Sequence, residues 1–371
     1  MKIQFAAPCL FGLESLVADE LKQMEAQNVR AEDGRVFFEG DESMLARANI
    51  CSRFAERILI VLGTFPAHTF EDLFQGVKAL PLENWIGPFD AFPVKGHSIK
   101  SDLFSVRDCQ SIIQKAAVER LKSVYNISWF EQTGAKHQLI FSIMKNQVHL
   151  FLDTSGEPLH KRGYRPEANA APLRETLAAA LCAFSRLRPY HTLYDPICGS
   201  GTILIEGAML ANKIAPGLKR NFAAERFEQL PESIWQEQRD WAKAQEIEAN
   251  GFMAYGSDIS KAALRLSREN AIRAGVSDKI VLTHWDLEHF KPQTDRGTVI
   301  CNPPYGERME DKKKASELIR LMGKVFPKQK GFSYSIISPE ETFEELFGRK
   351  ADKRRKLYNG MIKCQLYMYF K

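Results

Sequence analysis

Residues Thr192–Ala208 constrain the fold more than any other stretch of this 371-residue chain. An apolar start, Thr192-Leu193-Tyr194, runs into Asp195-Pro196-Ile197-Cys198-Gly199-Ser200-Gly201, and Thr202-Ile203-Leu204-Ile205 then opens an apolar helix. A buried strand, a tight glycine loop and a helix in that order make one βα unit of a parallel, doubly wound sheet. Glycines there let backbone approach a ligand closely, and the helix N-terminus favours negative groups. A phosphate-cradling P-loop needs a lysine after its last glycine, whereas Thr202 follows here. The spacing also departs from a dinucleotide fingerprint. An Asp closing the strand repels a pyrophosphate but suits a cationic amino-acid ligand.

Three further strand ends follow. Tyr255-Gly256-Ser257-Asp258-Ile259 and Ile280-Val281-Leu282-Thr283-His284-Trp285-Asp286 each end in an acid, and Thr298-Val299-Ile300 leads into Cys301-Asn302-Pro303-Pro304-Tyr305-Gly306. A lone Asp is usually a helix cap or a turn residue. Three acid-tipped strands before an Asn-Pro-Pro-Tyr turn are hard to explain as caps alone. The turn offers two acceptors, the Asn302 side-chain oxygen and the Pro303 carbonyl, and its two prolines remove competing N–H donors. Tyr305 can lie over a planar ring. The set suits gripping an NH2 on a flat heterocycle.

With these residues the chain resembles the S-adenosylmethionine-dependent methyltransferases of the Asn-Pro-Pro-Tyr, amino-group type, over roughly residues 160–371. The resemblance implies that Asp195, Pro196, Cys198, Gly199, Ser200 and Gly201 lie beside the methionine part of the donor. Asp258, with Ile259 next to it, would bind the ribose hydroxyls, and Asp286 would reach the adenine amine. Asn302, Pro303, Pro304 and Tyr305 would form the catalytic turn, with Asn302 also near the donor. Pro172, in Ala170-Ala171-Pro172-Leu173, would close over the methyl end. The gap from Asp195 to Asp258 exceeds the usual interval of about 20 residues. Lys213–Gly251 therefore reads as an insertion, helical around Pro231–Ala249.

Length predicts two or three domains. No apolar run approaches the ~20 residues of a membrane span, and Met1–Leu21 carries Glu14, Asp19 and Glu20, unlike a signal peptide. Seven cysteines without paired spacing point to free thiols in the cytoplasm, and eight scattered histidines predict no structural metal. Charge is uneven. Residues 1–165 carry 19 basic and 20 acidic side chains, and residues 166–371 carry 32 and 26. Lys312-Lys313-Lys314 and Lys353-Arg354-Arg355-Lys356 lie beyond the catalytic turn, where phosphate contact and an ordinary solvated face are both open readings.

The first part alternates as strand Ile3–Ala7, helix Leu13–Ala26, a strand pair around Gly34, helix Ser43–Ile50 and strand Arg57–Phe65, an α+β pattern of ferredoxin-like type. Next come a helix over Leu73–Leu80, an extended Asp90–Val94, a long helix Ser105–Tyr125, and strands Gln138–Met144 and Val148–Leu152 joined by a short turn. Lys100-Ser101-Asp102-Leu103, Arg107-Asp108-Cys109-Gln110 and Leu152-Asp153-Thr154-Ser155-Gly156 make this second unit resemble a THUMP domain, which implies RNA binding. Lys100 and Arg107, with Lys161, Arg162 and Arg165 of the basic, aromatic linker, are the candidate RNA-contacting residues.

The expected organisation is thus a ferredoxin-like unit over 1–66, a THUMP domain over 67–158, and a Rossmann-like, seven-stranded methyltransferase sheet over 159–371. Gly163-Tyr164-Arg165, Ala171-Pro172-Leu173-Arg174-Glu175-Thr176-Leu177 and the closing Arg355-Lys356-Leu357-Tyr358-Asn359-Gly360 hairpin resemble the THUMP-containing guanine-N2 methyltransferases of large-subunit ribosomal RNA. Asn359-Gly360 is itself a hairpin signal. The resemblance implies methylation of an exocyclic amine of an RNA base, guanine N2 of 23S ribosomal RNA foremost. Guanine N2 of tRNA stays open, as does adenine N6 of DNA, although a THUMP-like half argues against DNA. A non-catalytic RNA-binding factor and a protein-glutamine methyltransferase fit less of the chain.

Overall fold

The computed structural model describes residues 2–166, 173–249, 251–306, 309–326, 328 and 330–370. Ala171 and Pro172, expected over the methyl end of the donor, lie outside the described residues.

The front half runs β1 (Ile3–Pro8), α1 (Glu14–Gln23), β2 (Gln27–Glu32), β3 (Arg35–Gly40), α2 (Glu42–Cys51) and β4 (Leu59–Pro66), then α3 (Phe70–Lys78), β5 (Val94–Ile99), α4 (Val106–Tyr125), β6 (Leu139–Met144) and β7 (Gln147–Asp153). Local chemistry sets the helix starts. Asp41 accepts from the Met44 N–H at 2.8 Å, and Thr69 and Asp72 form a capping box at the start of α3. The strands form one seven-stranded sheet in the order β2-β3-β1-β4-β7-β6-β5. The ferredoxin-like and THUMP units therefore share a sheet, because β4 pairs antiparallel with β7 from Leu59↔Asp153 to Pro66↔Gln147. Pairing two edge strands this way removes the exposed edge each unit would otherwise present.

The second half runs α5 (Glu175–Phe184), β8 (Thr192–Asp195), α6 (Thr202–Ala211), α7 (Ser233–Ala244), β9 (Met253–Asp258), α8 (Lys261–Ala274), β10 (Ile280–His284), β11 (Gly297–Cys301), α9 (Met309–Val325), β12 (Phe332–Ser338), α10 (Phe343–Phe347), β13 (Lys353–Asn359) and β14 (Ile362–Tyr369). Its seven-stranded sheet has the order β10-β9-β8-β11-β12-β14-β13. The first five are parallel, and β14 enters antiparallel beside β12. Chain order reverses between β8 and β11, which opens a crevice at their carboxyl ends.

The insertion joins the halves. Its helix α7 is shorter than Pro231–Ala249 and packs on α2, where Arg47 Nε donates to Gln238 Oε1 at 2.9 Å and its guanidinium lies 4.3 Å from the Trp241 ring centre. Phe227 stacks on His137 of the THUMP unit at 3.9 Å between ring centres. Backbone bonds from Gly217 N–H to the Ile50 carbonyl and from Ala224 N–H to the Thr154 carbonyl complete the clasp.

The terminal hairpin differs by one residue from the sequence expectation. Asn359 pairs with Ile362, so Gly360-Met361 is the two-residue turn, with Gly360 at φ +62°. Glycine at the first central position suits a type II′ turn. Asn359 is thereby left at the end of β13.

Candidate active site

The glycine loop after β8 is held on several sides. Cys198 N–H donates to the Ser257 carbonyl at 2.9 Å, Ser257 Oγ to the Pro196 carbonyl at 3.2 Å, and Asn270 Nδ2 to the Ser200 carbonyl at 3.1 Å. Gly201 caps α6 at φ +78°, and a Cβ there would meet Ser267 Oγ at 2.1 Å. Both the backbone conformation and the space demand glycine.

A cleft of about 980 Å³ opens at the carboxyl ends of the parallel strands. Pro196, Ile197 and Gly199 line it from the loop, Asp258 and Ile259 from the end of β9, and Asp286 from beyond β10. Asn302, Pro303, Pro304 and Tyr305 line it beyond β11. Most of the residues expected at a donor and base site are thus on one wall. Asp258 accepts from Gly199 N–H at 2.9 Å and Ser260 N–H at 2.8 Å. Asp286 accepts from Glu288 N–H at 3.1 Å, as a turn residue does. Each carboxylate oxygen keeps acceptor capacity beyond these bonds.

Three expectations change. Asp195, Cys198, Ser200 and Gly201 do not line the cleft; Asp195 is only 2% exposed. Burial pushes its carboxyl up to about 8, against the partial relief of an Ile197 N–H at 3.3 Å and with a smaller push from Asp258. It supports the loop from behind. Tyr305 does not stand free in the cleft: its ring packs against the core, and its hydroxyl donates to Asn302 Oδ1 at 2.8 Å.

The third change concerns RNA contact. Arg162 is 3% exposed, donating to the Leu159 and Arg53 carbonyls with Nε 3.6 Å from Glu206 Oε1. Arg165 is likewise enclosed, 3.1 Å from Glu175 Oε2 and 2.9 Å from Thr202 Oγ1. Tyr164 joins the cluster through Glu206 at 3.0 Å. Both guanidiniums are held by carbonyls, a hydroxyl and acids of the same chain at the joint between halves. Lys100 and Arg107 are exposed, and Lys161 is exposed beside Glu157.

Some residues were missed in the sequence. Arg174 lines the cleft, with Nη1 donating to Glu56 Oε2 at 2.9 Å; the same carboxylate receives Thr176 Oγ1 at 2.7 Å. Glu56 lies more than a hundred positions away, so no local pattern marks the pair. Asn359 and Lys314 also line the cleft. In the THUMP unit Phe104 is 82% exposed between Lys100 and Arg107. That aromatic residue between two bases was a legible stacking signal.

The chain is similar to known proteins along its whole length. The RMKL-like methyltransferase domain family matches residues 162–368, the RlmL ferredoxin-like domain residues 4–59, and the THUMP domain residues 67–153. "Putative RNA methyltransferase YpsC" of Bacillus subtilis (strain 168) is 38% identical over 100% of this chain and 96% of its own. The ribosomal RNA large subunit methyltransferase K/L of Desulfotalea psychrophila is 32% identical over 98% of this chain, which spans only 52% of that protein. The crystal structure of SMU.472, "a putative methyltransferase complexed with SAH", superposes with a TM-score of 0.93 at 38% identity, covering 100% of this chain and 98% of that one. The chain belongs to the RlmK/L family of THUMP-domain, S-adenosylmethionine-dependent RNA methyltransferases.

Proposed function

We propose that this enzyme methylates the N2 amine of a guanine in large-subunit ribosomal RNA, with residues 67–158 supplying RNA affinity and residues 159–371 the chemistry. The observation that carries the reading is the shared wall of the cleft, where two strand-end acids and the Asn-Pro-Pro-Tyr turn converge. The cleft fits the donor chemically. Asp258 and Asp286 suit hydroxyl and amine donors, Ile259 offers an exposed apolar face to a purine, and the Gly199 backbone permits close approach. When bound, the sulfonium supplies an activated methyl group with a neutral thioether as leaving group.

The chain's own residues then have to solve the problem of the amine, whose lone pair is delocalised into the ring. Asn302 Oδ1 and the Pro303 carbonyl accept its two N–H bonds and turn the lone pair toward the methyl. Tyr305 fixes the plane of the base. Orientation of this kind contributes ~7–11 kcal/mol when geometry is ideal. Fixed acceptors also stabilise the positive charge growing on nitrogen. Asn302 is no general base; the alkylated ammonium loses its proton readily to water. The base must leave its stack to enter, so a single-stranded or flipped nucleotide is the substrate.

The test is methyl transfer to ribosomal RNA, tRNA and DNA in parallel, with nucleosides identified by mass spectrometry. N2-methylguanosine from ribosomal RNA is the expected product. Label confined to tRNA, or N6-methyladenine from DNA, overturns the assignment.

A further inference from the structure

The acceptor that the chemistry requires is already engaged. Tyr305 Oη donates to Asn302 Oδ1 at 2.8 Å, and Asn359 Nδ2 donates to Tyr305 Oη at 3.2 Å. Asn359 reaches this place because the hairpin turn falls at Gly360-Met361, and Asn359, Gly360 and Ile362 all line the cleft. The Tyr305 ring is packed against the core, and its phenol is raised, by burial first and by the neighbouring Cys364 of β14. A ring in that position does not cover a base, and an oxygen holding a phenol proton is a poorer acceptor for an amine. Both assigned roles are hindered together, since the Tyr305 hydroxyl takes one of the two acceptor sites of Asn302 Oδ1 and that bond holds the ring in place. One rotation of Tyr305 frees both, since it breaks the bond to Asn302 and moves the ring from the lining of the cleft toward an incoming base.

We propose that Asn359 is a positioning residue that latches Tyr305 onto Asn302, so that an incoming base must displace the Tyr305 hydroxyl to reach its acceptor. The latch rests on the amine-methylation reading above. Its logic is exchange. A hydroxyl-to-amide bond is traded for an amine-to-amide bond, so opening is nearly balanced once a base is present. Without a base the Asn302 carboxamide keeps a fixed orientation. The two hydrogen bonds run in one direction, Asn359 to Tyr305 to Asn302, and such chains strengthen each member. Removing the first donor therefore loosens the second bond.

The full-length Asn359→Ala protein tests this in two ways. Without donor or RNA, Tyr305 nitration by tetranitromethane, mapped by peptide mass spectrometry, is expected to be several-fold faster than in the wild type. Asn359→Gln, which restores an amide donor, is expected to bring the rate back. In steady-state methylation of transcribed RNA, the KM for RNA is expected to fall about threefold to tenfold with kcat unchanged or higher, the size of one net hydrogen bond. An unchanged nitration rate overturns the latch. So does a lower kcat at unchanged KM, because the relay would then serve the transition state instead of holding the closed state. Faster nitration in a protein that methylates no RNA keeps the latch and rejects the RNA reading.

Discussion

The cleft and the joint between the halves contain similar side chains and use them in opposite ways. At the joint, Arg162 and Arg165 meet Glu206 and Glu175, all four almost wholly buried. In the cleft, Asp258 and Asp286 meet backbone N–H groups and stay open to solvent on one side. An enclosed ion pair is closed to an outside ligand, and removing one partner leaves the other uncompensated in a buried site. An acid held by backbone keeps acceptor sites for a ligand. Polar residues of equal promise in the sequence thus divide into those that fix the domains and those that can exchange partners.

The largest expected effects fall on opposite sides of that division. Asn302→Ala should lower turnover by at least about 10²–10³-fold, the loss typical of one preorganised polar group, while donor affinity by calorimetry changes little. Retained turnover would remove Asn302 from the chemistry. Arg162→Ala should cost about 3–5 kcal/mol in denaturant unfolding, because fully buried Glu206 loses its Arg162 partner. At a temperature where that variant stays folded, its RNA affinity should match the wild type. Weakened RNA binding with unchanged stability would place Arg162 with the cleft residues and break the comparison.

Asp195 sharpens the comparison, since it ends β8 next to the cleft-lining Pro196 yet is buried like a joint residue. Its carboxyl, pushed up to about 8 by burial, is neutral in the folded protein near pH 7 and ionised in the unfolded chain. Its contribution to stability is therefore complete below about pH 4 and is lost as pH rises toward 8. Asp195→Asn removes the dependence. The stability difference in favour of the variant should widen between pH 4 and 8 by up to about 1.4 kcal/mol per pH unit and then level off. A difference that stays flat with pH would return Asp195 to the open wall. Glu20, raised by burial to about 7, is present in both proteins and cancels.

Where the sequence was legible, the reason was local. The strand–loop–helix of residues 192–208 reads directly because periodicity, Gly201 and the acid strand ends are encoded within a few positions. The Asn-Pro-Pro-Tyr turn reads equally well, since its prolines admit few backbone shapes. What stayed hidden depends on long-range packing. Nothing near Arg162 announces Glu206, and nothing near Arg174 announces Glu56. The fusion of two units into one sheet lies in the pairing of β4 with β7, which neither strand declares alone. The Tyr305 hydroxyl on Asn302 needed both the turn and the hairpin register.

The smallest effects belong to the front half, where the division can be tested by salt. Lys100 and Arg107 are exposed, and Phe104 stands 82% exposed between them. Phosphate contacts act by releasing counterions, so each basic residue that touches RNA adds to the slope of log affinity against log salt, by about 0.7 per contact on a single strand. Lys100→Ala and Arg107→Ala should each reduce that slope by roughly one contact and weaken binding to all RNA sequences alike. Phe104→Ala should weaken binding by about 1–3 kcal/mol if a base stacks on it, with the salt slope unchanged, because stacking neutralises no phosphate. The two signatures separate charge from stacking on one surface. Arg165→Ala should alter neither slope nor affinity at a permissive temperature, since Glu175 already holds it. If its slope falls as that of Lys100→Ala does, the guanidinium leaves its acid when RNA binds, and the joint is an exchangeable site like the cleft.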